Sequence, residues 1–147
     1  MAIWTRVFSR DEVPPDEGML SRFLAGLGAA ARFEADERGW FRAEADAGLV
    51  VERYGADEEG VRAELNAWAA YLETCDWSPH HGPLMERMIQ SRQVFTIRKA
   101  LDHADEPRAD RVCRAMAMEL ARLTGGFWQA DGVGFLDEAG TVLVPEY

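Results

Sequence analysis

Cysteine, histidine and lysine are scarce in this 147-residue sequence, which has two cysteines, three histidines and a single lysine, Lys99. Cys75 and Cys113 supply neither a disulfide framework nor the paired ligands of a closed zinc site. No apolar run approaches the ~20 residues that a membrane span needs, so we expect no contact with a membrane. The first residues, Met1 to Arg6, lack the apolar core and cleavage site of a signal peptide, which predicts a cytoplasmic location.

Positive charge is also in short supply. Asp and Glu number 26 against 16 Lys and Arg, which gives a formal net charge of −10. The arginines are scattered among acidic residues, so no basic stripe is present and nucleic-acid binding is disfavoured. The same charge would steer a basic protein partner toward the chain. The alternative is that the negative charge only keeps the protein soluble.

The apolar pattern predicts both strands and helices. Alternation at period two predicts strands over 3–8, 32–37, 39–45, 49–54 and 93–99, and three more short strands in the tail from residue 127. Apolar residues at helical spacing predict four helices, which contain residues 19–27, 61–72, 84–89 and 112–123. Asp57 is expected to cap the second helix, with Glu58 and Glu59 in its first turn, where the helix dipole favours acidic residues.

These elements predict one α+β domain over residues 1–147, with an antiparallel-rich sheet and helices packed on one face. Residues 3–54 and 93–144 both read strand, helix and three strands, which suggests a pseudo-repeat of two halves. Ala35-Asp36 and Gly39-Trp40 match Ala130-Asp131 and Gly134-Phe135 at a constant offset. Hairpins in general favour Gly and Asp, so the match has a local explanation as well.

The loop around His80 and His81 is the first candidate for a metal-binding or catalytic site, since imidazoles bind metals and transfer protons. Asp76 and Trp77 precede the pair. Neighbouring side chains of an extended segment point apart, however, so adjacent histidines rarely bind one ion. The alternative is a solvated loop with Trp77 as an aromatic plug. We therefore assign no catalytic, cofactor-binding or metal-binding residue.

The acidic residues of the second helix suggest a docking surface for a basic partner, although a helix N-terminus attracts acidic residues for local reasons too. The candidate interaction residues are Asp57, Glu58, Glu59, Glu64, Asp76, Trp77, His80 and His81. On this hypothesis the chain is a non-enzymatic interaction protein. In size and charge it resembles small acidic bacterial inhibitors and immunity proteins.

The alternative is a small-molecule-binding or enzymatic module. The paired β-α-β-β-β halves resemble in outline the vicinal-oxygen-chelate proteins, whose two modules enclose a ligand cleft and often a metal. That family takes its metal ligands from sheet strands, whereas His80, His81 and His103 fall in predicted loops. The resemblance therefore implies a metal-free cleft between the halves, which Trp4, Trp40 and Trp128 could line if they are not core residues.

Overall fold

The structure, a computed structural model, describes residues 4–146. Ile3, the first residue of the first predicted strand, therefore lies outside the described residues. Within them the strands are β1 (Trp4–Ser9), β2 (Ala31–Ala35), β3 (Phe41–Ala45), β4 (Leu49–Gly55), β5 (Gln93–Lys99), β6 (Phe127–Ala130), β7 (Gly134–Leu136) and β8 (Val142–Pro145). The helices are α1 (Glu17–Gly26), α2 (Val61–Thr74), α3 (His81–Ile89) and α4 (Pro107–Thr124), with a short 3₁₀ helix at Leu101–His103.

The described strands form one eight-stranded sheet in the order β2-β3-β4-β5-β1-β6-β7-β8. Every neighbouring pair is antiparallel. The predicted α+β class and the antiparallel sheet are confirmed. Among residues 4–146, no helix has the length and apolar composition that crossing a bilayer requires.

The helices lie on both faces of the sheet, and not on one face as predicted. Val7 packs in a cluster with α1 and α4, whereas Phe8 packs in a separate cluster with α2 and α3. Consecutive strand residues point to opposite faces, and both of these side chains are fully buried. The central strand is therefore apolar on two faces, and each face needs its own helices.

The α2/α3 layer covers only part of its face. Beyond the covered part, the strands β2 and β3 carry charged side chains that are exposed or half-buried, namely Arg32, Glu34, Arg42 and Glu44. Between the two regions, a cavity lies where the start of α2 meets β1, β4 and β5.

The two halves share the order of their elements but not their strand pairing. The first half reads β1-α1-β2-β3-β4 and the second β5-α4-β6-β7-β8, with α2 and α3 between them. In the sheet, β5 lies beside β4, whereas β1 lies beside β6, and β8 is at the outer edge. A twofold arrangement would place β8 beside β1. The sheet does not have that symmetry.

Candidate binding sites

The acidic residues that precede α2 do not cap it. Asp57, Glu58 and Glu59 lie in turns, and the residue at the N-cap is Gly60, whose φ of 84° makes it left-handed. The Glu58 carboxylate instead accepts a 2.5 Å hydrogen bond from the backbone N–H of Gly55. The predicted cap at Asp57 is wrong, because the side chains of Asp57 and Glu58 turn back toward the end of β4.

Asp57 and Glu58 also affect the pKa of a buried arginine, Arg53. Arg53 is 3% exposed and donates hydrogen bonds to the Gln93 side chain (2.7 Å) and to the Gly39 carbonyl (2.8 Å). Burial lowers the pKa of Arg53, and the nearby carboxylates of Glu58 and Asp57 oppose that shift. Two of the candidate interaction residues therefore stabilise a charge inside the fold.

The loop from Asp76 to His81 fastens the edge strand β8 to α2. The indole N–H of Trp77 donates to the Pro145 carbonyl (2.9 Å), and the Ser78 hydroxyl donates to the Leu143 carbonyl (2.6 Å). His81, which was expected in the loop, is the first residue of α3, and its Nδ1 lies 2.9 Å from the Leu72 carbonyl oxygen. His80 is exposed at the N-cap position of α3. The contacts of Trp77 and His81 hold elements of the fold together.

Metal-ligating residues do not gather in the part of the chain that the structure describes, where no three His, Cys, Asp or Glu are placed to hold an ion. Cys75 and Cys113 are both free and buried. Burial raises the pKa of each thiol.

A cavity of about 440 Å³ opens between the start of α2 and the strands β1, β4 and β5. We call it the α2 cleft. Its charged and aromatic lining comprises Trp4, Arg6, Glu52, Tyr54, Glu59 and Glu64. Period-two alternation places Glu52 and Tyr54 of β4 on the face where Trp4 and Arg6 of β1 also lie. Glu59 and Glu64 thus meet aromatic and acidic side chains from two distant strands.

The charge of the α2 cleft is negative, with the carboxylates of Glu52, Glu59 and Glu64 against the one guanidinium of Arg6. The Tyr54 hydroxyl donates a 2.6 Å hydrogen bond to Glu52. Burial, reinforced by that carboxylate, raises the pKa of Tyr54 to about 12. The cleft therefore offers carboxylates beside a neutral phenol.

A second cavity, of about 230 Å³, is lined by residues that include Trp68 and Asp131, both of which contact Arg6. We call it the aromatic pocket, and its key lining residues are Trp68, Tyr71, Asp131, Phe135 and Glu146. The rings of Trp68 and Tyr71 lie 5.8 Å and 6.2 Å from the ring of Phe135, centroid to centroid. Three aromatic rings and two carboxylates therefore share one small space.

Gly134 also lines the aromatic pocket. Its φ is +123°, and a Cβ at this position would lie 2.1 Å from the Val144 carbonyl oxygen. Only glycine lets β7 and β8 approach this closely. The pocket thus depends on Gly134, the glycine that matches Gly39 in the proposed pseudo-repeat.

On the opposite face, a groove of about 670 Å³ runs beside α1 and α4. We call it the α1/α4 groove. Phe23 and Met118 supply apolar surface, and the charged lining is balanced, with Arg111, Arg114 and Arg122 against Asp110, Glu119 and Glu138. Arg122 is paired with Glu119, whereas Arg111 makes no ion pair with any residue in 4–146.

The sequence predicted Glu59 and Glu64 as interaction residues, but it did not predict that Glu52 and Tyr54 of β4 line the same cavity. The signal was present, because alternation along β4 separates the buried Val51 from its neighbours on the opposite face. What the sequence could not supply was the strand order that places β4 and β1 on either side of β5.

Comparison of the chain with models of protein families, with curated proteins and with solved structures found no match.

Proposed function

We propose that this protein is a non-enzymatic acidic interaction protein that binds a basic segment of a partner protein in the α2 cleft. The observation that carries the proposal is the convergence of Glu52, Glu59 and Glu64 on one cavity. Trp4, which is 37% exposed, and Tyr54 supply aromatic surface beside these carboxylates.

The chemistry of the α2 cleft favours a cationic side chain over other ligands. Carboxylates form charge-assisted hydrogen bonds with guanidinium and ammonium groups. Aromatic faces attract the same groups through the ring quadrupole. The formal charge of −10 adds long-range attraction, which raises the rate of encounter with a basic partner.

A titration with a defined peptide tests the proposal. The probe is a peptide of three arginines alternating with serines, acetylated and amidated at its ends, and the reference replaces each arginine with uncharged citrulline. We expect the arginine peptide to shift the NMR signals of the Trp4 indole and the Tyr54 ring saturably, and higher salt to weaken binding.

The variant Glu59→Gln/Glu64→Gln keeps the shape of the α2 cleft and removes two charges. Exposed ion pairs contribute roughly 0.2–1 kcal/mol each, so the Kd should rise about two- to thirtyfold. The matched control is Glu37→Gln/Asp105→Asn, two exposed acidic residues that do not line the cleft. Equal weakening by both pairs, or equal binding of the citrulline peptide, would overturn the proposal.

A second candidate function is a metal-free small-molecule-binding module, and the α1/α4 groove favours it. The groove lies between the two halves, because Phe23 belongs to α1 and Met118 to α4. Apolar surface next to the positive charge of Arg111 suits a small anion with an apolar body.

Octanoate is the probe for this second function. We expect it to shift the NMR signals of Met118 and Ala115, and octanol to have a much smaller effect. Arg111→Gln should weaken octanoate binding, while Arg38→Gln, in the exposed β2–β3 turn, should not. Identical responses to octanoate and octanol would exclude an anion site.

A further inference from the structure

The aromatic pocket combines an exposed tyrosine with two carboxylates whose hydrogen-bonding capacity the fold uses only in part. Tyr71 is 37% exposed at its mouth. The Asp131 carboxylate accepts hydrogen bonds from Arg6 and Gln129 through Oδ1, and the Glu146 carboxylate accepts one from the Gly132 N–H through Oε2. The other oxygen of each carboxylate accepts no hydrogen bond from residues 4–146.

Arg6 shows which group fits this environment. Its guanidinium carbon lies 5.2 Å from the centroid of the Trp68 ring, and its Nη1 lies 2.9 Å from Asp131 Oδ1. A guanidinium of the chain itself is thus held by one ring and one carboxylate that also line the aromatic pocket. A second guanidinium would meet Tyr71 and the remaining carboxylate oxygens.

We infer that the aromatic pocket binds the guanidinium group of one arginine side chain of the partner. The partner's identity as a basic protein rests on the proposed function, whereas the chemistry of the pocket stands on its own lining. Guanidinium is favoured over ammonium because it is planar, stacks on aromatic rings and pairs with two acceptors at once. The volume of about 230 Å³ accommodates one such group with part of its stem.

The two cavities lie along the same side of α2. Glu64 lines the α2 cleft and Tyr71 the aromatic pocket, and they are two helical turns apart, about 11 Å at 1.5 Å per residue. An extended segment advances about 13 Å in four residues. Two arginines separated by three residues therefore reach both cavities, whereas two separated by one residue span only about 7 Å.

The first experiment uses a single side chain. N-acetyl-arginine methylamide is titrated into the full chain while the NMR signals of the Trp68 indole and the Tyr71 ring are followed, with the citrulline and lysine analogues as references. We expect the arginine compound to shift both signals most strongly. Equal shifts with the citrulline compound would overturn the inference.

Two substitutions of one residue separate a role of the ring from a role of the hydroxyl. Tyr71→Leu removes the ring and should weaken binding about two- to fivefold, the range of an exposed cation–π contact. Tyr71→Phe keeps the ring and should bind as the parent does. Loss of binding in both variants would refute a site based on the ring.

A second experiment compares two peptides that each carry two arginines, one with a single residue between them and one with three. If one peptide occupies both cavities, the peptide with the wider spacing binds more tightly, because its second contact becomes intramolecular. Equal affinities would contradict joint occupation.

The outcomes distinguish the inference from the proposed function. Shifts at Trp4 and Tyr54 without shifts at Trp68 and Tyr71 would leave the α2 cleft as the only site and refute the inference. Shifts confined to Trp68 and Tyr71 would support the aromatic pocket and refute the proposed role of the α2 cleft.

Discussion

Arg6 of β1 and Trp68 of α2 are stacked, with the guanidinium carbon 5.2 Å from the centroid of the indole ring. The same guanidinium pairs with Asp131 at 2.9 Å and approaches Glu64 at 3.9 Å. It therefore partly neutralises one carboxylate of the α2 cleft and one of the aromatic pocket. A single arginine thus lowers the negative charge of both cavities.

Replacement of Arg6 by methionine should strengthen the binding of a cationic peptide while it weakens the fold. Methionine fills similar space but frees the carboxylates of Glu64 and Asp131. We expect a lower Kd for the alternating arginine peptide and a loss of about 1–2 kcal/mol in the free energy of unfolding, from two side-chain hydrogen bonds and a cation–π contact. Peptide titration and urea denaturation measure the two effects. Weaker peptide binding in Arg6→Met would show that Arg6 itself contacts the ligand.

Replacement of Arg53 should lower the free energy of unfolding more than replacement of Arg6. It is buried and joins β4 to β5 through Gln93, to the β2–β3 turn through the Gly39 carbonyl and to the chain before α1 through the Glu12 carbonyl. Arg53→Met leaves all three acceptors without their donor. We expect a loss of about 2–3 kcal/mol in the free energy of unfolding, because the buried Gln93 oxygen loses its donor, which costs about 1–3 kcal/mol, and the partly buried carbonyls of Gly39 and Glu12 add less.

Urea denaturation of Arg53→Met beside Arg38→Gln provides the comparison. Arg38 is exposed in the β2–β3 turn, so its loss should change the free energy of unfolding by less than about 0.5 kcal/mol. Equal stabilities for the two variants would contradict a structural role for Arg53.

Most element positions could be predicted from the sequence, because they depend on local periodicity. The predicted strand over 93–99 coincides with β5, and Gly125, in the left-handed conformation, follows the last residue of α4. The placement of the helices could not be predicted in the same way. Val7 and Phe8 are adjacent and both buried, and the pattern around one strand does not say which helix covers which face.

The candidate site was predicted only in part, for a related reason. Glu59 and Glu64 could be predicted because they are near one another in the sequence. Glu52 and Trp4 join them only through the pairing of β5 with both β4 and β1. Proximity in sequence also gave a wrong grouping of the acidic residues. Asp57 and Glu58 lie next to Glu59 in the sequence, but they turn toward the end of β4 and Arg53.

Both cysteines should resist alkylation in the folded protein. Cys75 and Cys113 are fully or almost fully buried, and burial raises the pKa of both thiols, so little reactive thiolate is present at pH 8. We expect iodoacetamide to modify neither residue within the time that a free cysteine reacts fully, and to modify both in guanidinium chloride. Intact mass and peptide mapping count the adducts. Rapid labelling of either cysteine without denaturant would disprove its burial.

Tyr54 should lose its proton only at unusually high pH, and it should make the free energy of unfolding depend on pH in alkaline solution. Its pKa is raised from 10 to about 12, first by burial and then by the hydrogen bond to Glu52. Between pH 10 and 12 the unfolded chain loses the phenolic proton while the folded chain keeps it. The unfolded state then binds fewer protons, so the free energy of unfolding falls as pH rises through this window. Below pH 10 the contribution of Tyr54 is fully present.

Two variants isolate this effect. Tyr54→Phe removes the titrating group, so the difference in unfolding free energy between parent and variant should be constant below pH 10 and should shift against the parent from pH 10 to 12. Glu52→Gln removes the carboxylate that helps to raise the pKa of Tyr54, so the ring should titrate closer to 10. Carbon-13 NMR of the tyrosine rings follows the ionisation directly. An unchanged Tyr54 titration in Glu52→Gln would mean that burial alone raises the pKa of the phenol, and that the carboxylate of Glu52 contributes nothing to the shift.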